Sequence, residues 1–182
     1  MVAHGKHRAT TLQFKGSFMP PVLAFIGKPN CGKTTLIEKL IPALAHKGVR
    51  IGTIKHHHGP IQMDTPGKDT WRHKQAGAQN VLLSSPTGIG FIQETTEDTP
   101  VANLVSRFFH NVDLVLLEGY KFATLPKIEV FRSTIYDAPL QNPGETLIAV
   151  VSDIWIRRDH PWFKPEDTGA LAAFILETIL KR

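Results

Sequence analysis

From residue 22 onward, short apolar runs alternate with stretches of helical periodicity. Val22-Leu23-Ala24-Phe25-Ile26 is apolar throughout, the pattern of a strand covered on both faces of a parallel sheet. Leu36, Ile37, Leu40, Ile41 and Leu44 fall at helical spacing and predict a helix over 34–46, with Gly48 where such a helix stops. Pro42 inside it predicts a kink or local irregularity. Residues 49–55 read as a second strand, 56–68 as a loop rich in His, Pro and Gly, and 69–76 as a short helix ended by Gly77. Strands over 80–84 and 89–94 flank the turn Ser85-Pro86-Thr87-Gly88, and 100–109 is helical with Pro100 in its first turn. Strands follow at 112–117, 127–132 and 147–151, the last closing the sheet, with a loop over 134–145. A final amphipathic helix over 166–181 carries Leu171, Phe174, Ile175, Ile179 and Leu180 on one side. Such alternation predicts an α/β fold with a mostly parallel sheet flanked by helices and a small antiparallel element near 80–94. All of it fits one domain over 19–182.

The chemistry concentrates where the first strand meets the first helix. Gly27-Lys28-Pro29-Asn30-Cys31-Gly32-Lys33-Thr34 is a P-loop, and it lies directly between strand and helix as that motif requires. Triphosphate oxygens are densely charged, and consecutive N–H groups converge on them only where side chains stay clear; Gly27 and Gly32 permit that path. The helix start, with Thr35 following, adds unpaired donors and a favourable dipole. Lys33 is placed to neutralise phosphate and Thr34 to ligate Mg²⁺, while the Cys31 side chain is expected to point away from phosphate. The motif says nothing about the base.

A carboxylate on a neighbouring strand is the expected partner for the metal. Asp113-Leu114-Val115-Leu116-Leu117-Glu118-Gly119 supplies an apolar strand ending in an acid, so Glu118 takes that role. Lys55 and His56 lie at the C-terminal end of a predicted parallel strand, the edge where open α/β sheets bind ligands. Asp64 and Asp69 follow; Asp69 serves either as an acid near the metal or as the N-cap of the next helix. His56-His57-His58 is not read as a zinc site, because neighbours in an extended chain face opposite ways and no Cys completes a tetrahedral set.

Charge changes the picture only slightly. The formal balance is +5, but residues 1–18 contain Lys6, Arg8 and Lys15 and no acid, leaving 18 basic and 16 acidic residues, or +2. The body is thus close to neutral, and no nucleic-acid partner is expected. The leader lacks the apolar region of a secretory signal and reads as a flexible tail, native or not, or as an extension before a start at Met19. No apolar run approaches the ~18 residues of a membrane span. One cysteine excludes an internal disulfide framework and fits a reducing, cytoplasmic setting.

Beyond the P-loop, an ordered set of segments narrows the field: Gly52-Thr53-Ile54-Lys55-His56-His57-His58, Asp64-Thr65-Pro66-Gly67-Lys68-Asp69-Thr70, Gln75-Ala76-Gly77-Ala78, Leu116-Leu117-Glu118-Gly119-Tyr120-Lys121, Pro126-Lys127-Ile128-Glu129-Val130-Phe131-Arg132 and Ala149-Val150-Val151-Ser152-Asp153. From about residue 22 to the C-terminus the chain resembles the molybdopterin-guanine dinucleotide biosynthesis adapter proteins, a P-loop group of bacterial molybdenum cofactor assembly. The resemblance implies the P-loop NTPase fold, GTP and Mg²⁺ as ligands, weak GTPase activity and a homodimer. It implies as partner the molybdenum cofactor guanylyltransferase that joins GMP to molybdopterin, with molybdopterin itself a further candidate. It also implies Gly27, Gly32, Lys33 and Thr34 at phosphate and Mg²⁺, Asp69 and Glu118 as acids near the metal, and Asp153 as the reader of guanine. The Asn-Lys-x-Asp signature of small GTPases is absent. The competing reading is a small-molecule kinase using ATP. It requires an arginine-rich lid, whereas Arg72, Arg107, Arg132, Arg157 and Arg158 are scattered along the sequence.

Overall fold

Val22–Ile26 (β1) lies inside a six-stranded sheet, buried along its whole length. The other strands are Ile51–Lys55 (β2), Leu114–Glu118 (β5), Lys127–Phe131 (β6), Leu147–Ser152 (β7) and Trp162–Phe163 (β8). Their order is β2-β5-β1-β6-β7-β8, and every pairing is parallel. A parallel sheet covered on both faces explains why β1, β5 and β7 are runs of apolar residues instead of alternating ones. The computed structural model describes residues 19–182; the basic leader 1–18 lies outside the described residues.

The described chain forms two compact units. The larger runs up to His56 and resumes at Leu104–Arg182. Its helices are Lys33–Ala45 (α1) and Thr168–Ile175 (α4), the latter continuing as a π-helical turn over Leu176–Leu180. Leu36, Ile37, Leu40 and Leu44 of α1 are buried at the predicted spacing, and they share a core with Leu171, Ala172 and Ile175 of α4 and with Leu23, Phe25, Leu114, Leu116, Ile128 and Val130 from the sheet. Helix α1 runs on through Pro42 to Ala45, and the turn after it closes at Gly48, which donates to the Ala45 carbonyl with φ near 78°. A left-handed stop of this kind suits glycine.

The smaller unit, His57–Asn103, holds helix Asp69–Gln75 (α2) and the antiparallel hairpin of Asn80–Ser85 (β3) and Gly88–Gln93 (β4), the small element anticipated near 80–94. Helix Val101–Phe108 (α3) starts in this unit and ends in the larger one. No helix among the described residues is long and apolar enough to cross a membrane.

Two features depart from the simple alternation. The connections from β5 to β6 and from β6 to β7 contain no helix, so long loops cross the sheet there. Strand β8 adds a parallel edge beyond β7, pairing Val150 with Trp162 and Val151 with Phe163. Two residues are too few to show a period of two, so the sequence pattern carries no sign of this edge. Trp162 is fixed by its indole N–H, which donates to Ser152 Oγ at 2.9 Å and the Ser152 carbonyl at 3.2 Å.

Gly52 on β2 is fully enclosed by packing. A Cβ there would stand 2.2 Å from Cδ1 of Phe109, far inside contact distance. Gly52→Ala is therefore expected to destabilise the protein by about 1–3 kcal/mol through overpacking. A fall of several degrees in melting temperature checks it, and pairing the change with Phe109→Leu restores part of the loss.

Candidate nucleotide site

Strand β1 delivers the chain to the ligand edge of the sheet and α1 carries it away, so residues 27–34 lie where strand ends and a helix N-terminus meet. The turn is tight enough to dictate its residues. A Cβ on Gly27 would lie 2.4 Å from the Val130 carbonyl oxygen of β6 and 2.7 Å from Cys31 Sγ. Gly32 has φ near 93° and serves as the N-cap position of α1 without a side-chain cap. Asn30, at φ 58°, occupies the left-handed region that Asn tolerates better than most residues. Cys31 is buried in the core with Leu36 and Val130, and Lys33 Nζ stands 3.7 Å from its Sγ. Burial raises its pKa, an effect the nearby Lys33 charge opposes.

Lys33 folds back over the loop. Its Nζ donates to the Lys28 carbonyl at 2.8 Å and the Gly27 carbonyl at 3.3 Å. A charged lysine held by two neutral carbonyls is poised to exchange them for phosphate oxygens, which form stronger, charge-assisted bonds. Thr34 Oγ1 donates to both oxygens of Glu118, at 2.9 and 3.1 Å. Glu118 sits beside Phe25 in register on one side and Lys55 on the other, and Lys55 Nζ approaches it to 3.6 Å. The parallel register thus gathers three of the sequence-predicted residues, Thr34, Glu118 and Lys55. A hydroxyl and a carboxylate at this spacing are the hard oxygen donors Mg²⁺ takes, with the remaining positions left to phosphate and water. Among the described residues no three His, Cys, Asp or Glu side chains cluster as metal ligands, so an ion here draws most of its coordination from those sources.

Thr35 is exposed on the first turn of α1. Asp69 belongs to the smaller unit. It is the first residue of α2, not its N-cap: Lys68 holds that position, and the Asp69 carboxylate favours the helix by lying in the first turn. The loop before it is organised by Asp64, whose Oδ1 accepts from the Thr65 amide at 2.8 Å and from Thr70 Oγ1 at 3.1 Å.

Asp153 stands at the C-terminal end of β7, two strands from the P-loop strand. Its carboxylate accepts from the Ser133 amide at 2.8 and 3.1 Å and from Ser133 Oγ at 2.9 Å. Burial alone would raise its pKa, but the bonds from Ser133 outweigh that and hold it below the ordinary carboxylate range. It is therefore ionised at neutral pH, and the backbone amides of Asp153 and Thr134 add to the bonds that hold its charge.

The sequence reading missed a strap over the loop. Tyr136 donates its hydroxyl to the Pro29 carbonyl at 2.8 Å, and Lys28 donates to the Ala138 carbonyl at 2.7 Å while lying 4.9 Å over the Tyr136 ring. The strap is anchored by Glu129, a buried acid on β6 that accepts from the Leu140 amide at 2.7 Å and from Arg157 Nε. Arg157 also donates to the Leu140 carbonyl. The sequence signal for this was an acid between Ile128 and Val130 in the middle of a strand, where burial demands a partner.

Fold and site together define a P-loop nucleotide-binding protein. Residues 22–153 match the family model described as molybdopterin guanine dinucleotide synthesis protein B, MobB. The molybdopterin-guanine dinucleotide biosynthesis adapter protein of Escherichia coli (strain K12) is 37% identical over 175 residues, covering 92% of this chain and 98% of that one. Its counterpart from Haemophilus influenzae is 36% identical, over 89% and 93% of the two chains. The crystal structure of Bacillus subtilis MobB superposes with a TM-score of 0.70 at 25% identity, covering 87% of this chain and 98% of that one. The chain belongs to the MobB family.

Removing Arg157 would leave the Glu129 carboxylate buried and unpaired. Arg157→Ala is expected to cost about 3–5 kcal/mol in urea denaturation, with much of it recovered in the double variant that adds Glu129→Gln.

Proposed function

We propose that this chain is a GTP-binding adapter with slow GTPase activity that assists attachment of GMP to molybdopterin in molybdopterin guanine dinucleotide synthesis. The observation that carries the reading is the Lys33, Thr34 and Glu118 constellation on an intact P-loop, in a chain whose relatives bear that adapter name. In this mechanism the loop amides from Gly27 to Thr34 bind the phosphate chain, and Lys33 moves from the carbonyls of Gly27 and Lys28 to phosphate oxygens. Thr34 and Glu118 would hold Mg²⁺, which would supply neutralisation of developing phosphate charge. Lys55 lies beside Glu118 and offsets its charge. Asp153 reads guanine, because a carboxylate accepts from N1–H and the 2-amino group together.

Residues 19–182 act in this reading as one cytoplasmic GTP-binding domain that works as a homodimer. Its partner is the guanylyltransferase, and molybdopterin is a further candidate contact. A kinase would fold several arginines over a transferred phosphate. Arg157 is instead committed to Glu129 and Leu140, and Arg158 lies over the Trp155 ring at 5.6 Å.

Titration calorimetry of the full chain with GTP and with ATP, each with Mg²⁺, tests the reading. GTP is expected to bind at least about tenfold tighter, a difference of about 1.4 kcal/mol, and Asp153→Ala to remove that preference. Equal affinities in the wild type, or a preference for ATP, would favour the kinase.

A further inference from the structure

Four cationic side chains surround the P-loop, and three of them are occupied. Lys33 is held by the carbonyls of Gly27 and Lys28, Lys28 by the Ala138 carbonyl and the Tyr136 ring, and Lys55 by Glu118. Arg132 is the fourth. It follows directly on β6, the neighbour of β1 on the side away from Glu118, and so stands at the ligand edge of the sheet. Its backbone is pinned by a turn in which the amides of Ile135 and Tyr136 donate to its carbonyl at 3.2 and 3.1 Å. Its guanidinium lies against the P-loop: a Cβ built on Gly32 would meet Arg132 Nε at 3.0 Å, Nη2 at 3.1 Å and Cζ at 3.3 Å. No hydrogen bond or ion pair among the described residues engages that guanidinium.

Arg132 is partly buried, and its guanidinium stands beside a phosphate cradle with no anionic partner among the described residues, which leaves its fork available to an anionic ligand. Gly32 thereby acquires a second role. Besides adopting positive φ, it leaves room for the guanidinium; a Cβ there would crowd Arg132, which would have to give by a few tenths of an ångström. The planar fork of Arg suits bidentate bonding to phosphate oxygens in a way that the point charge of Lys33 does not.

From this geometry we infer that Arg132 is a phosphate-binding residue, a second cation that closes on the nucleotide's phosphate chain from the β6 side, opposite Glu118 and Thr34. The inference rests on the P-loop binding a nucleoside triphosphate as proposed above, but not on which base is read. Lys33 at the start of α1 and Arg132 just past β6 then flank the bound anion, and Arg132 adds affinity for phosphate common to GTP, GDP and ATP.

The test is calorimetry of the full chain and of Arg132→Gln and Arg132→Lys with Mg²⁺-GTP, GDP and Mg²⁺-ATP, alongside Lys33→Ala and the melting temperature of each variant without nucleotide. Arg132→Gln is expected to weaken whichever of these nucleotides the wild type binds, by a common factor of about ten or more, with the nucleotide-free melting temperature unchanged. Arg132→Lys, which keeps the charge but loses the fork, is expected to recover part of the affinity. An Arg132→Gln protein that binds within about twofold of wild type while Lys33→Ala fails to bind overturns the role of Arg132 alone. Wild-type protein that binds none of the nucleotides, or a Lys33→Ala protein that binds as well as wild type, overturns the nucleotide-site reading itself and this inference with it. A lowered melting temperature in both Arg132 variants would make Arg132 a structural residue and would likewise overturn the assignment.

Discussion

The whole site depends on how closely β1 and β6 approach at the point where the P-loop begins. With only a hydrogen at Gly27, the Val130 carbonyl of β6 comes within 2.4 Å of where a Cβ would sit. That closeness turns the chain away from the strand direction and frees the following amides from the sheet, so that they point at one place. The same strand β6 then carries Glu129 inward and Arg132 outward, one to anchor the strap and the other to face the loop. The loop's shape is thus set by the sheet's spacing, so that in the proposed reading the cost of ordering it is met during folding instead of during binding.

Charge in the site is arranged so that Lys33 and Lys55 each have a substitute partner that a ligand can replace. Lys33 rests on neutral backbone carbonyls, contacts weaker than those a phosphate would offer, and Lys55 lies 3.6 Å from Glu118. The Thr34 hydroxyl spans Glu118 in the same provisional way. Buried charge is treated differently: the Glu129 carboxylate is enclosed, and it is paired with Arg157 and with the Leu140 amide inside the protein. The strap they hold connects the far side of the sheet to Pro29 and Lys28 through Tyr136 and Ala138.

Much of this was legible in the sequence, and the reason differs by element. The P-loop and β1 could be read because the chemistry and the secondary structure lie in one continuous segment. Glu118 could be read because an apolar strand that ends in an acid brings that carboxylate to the ligand edge of a parallel sheet, and the hairpin because its turn residues mark it. The strap could not be read: Tyr136 meets Pro29 across 107 residues and Lys28 meets Ala138 across 110, contacts set by strand order and not by any local period. Strand β8 was too short to show a period, and the expected cap at Asp69 fell one residue away, at Lys68, within the usual uncertainty of helix ends. Arg132 looked like one of several scattered arginines until the parallel pairing of β1 with β6 placed it against Gly32.

The central claim is that the loop from Gly27 to Thr34 holds a nucleoside triphosphate through its amides and Lys33. The most direct measurement is titration calorimetry of Lys33→Ala with Mg²⁺-GTP beside the wild-type chain, with circular dichroism to show that both are folded. The account predicts that affinity falls by about a hundredfold or more, roughly 2.7 kcal/mol, the loss of a charge-assisted contact to phosphate. A folded Lys33→Ala protein that binds GTP as tightly as wild type would contradict it.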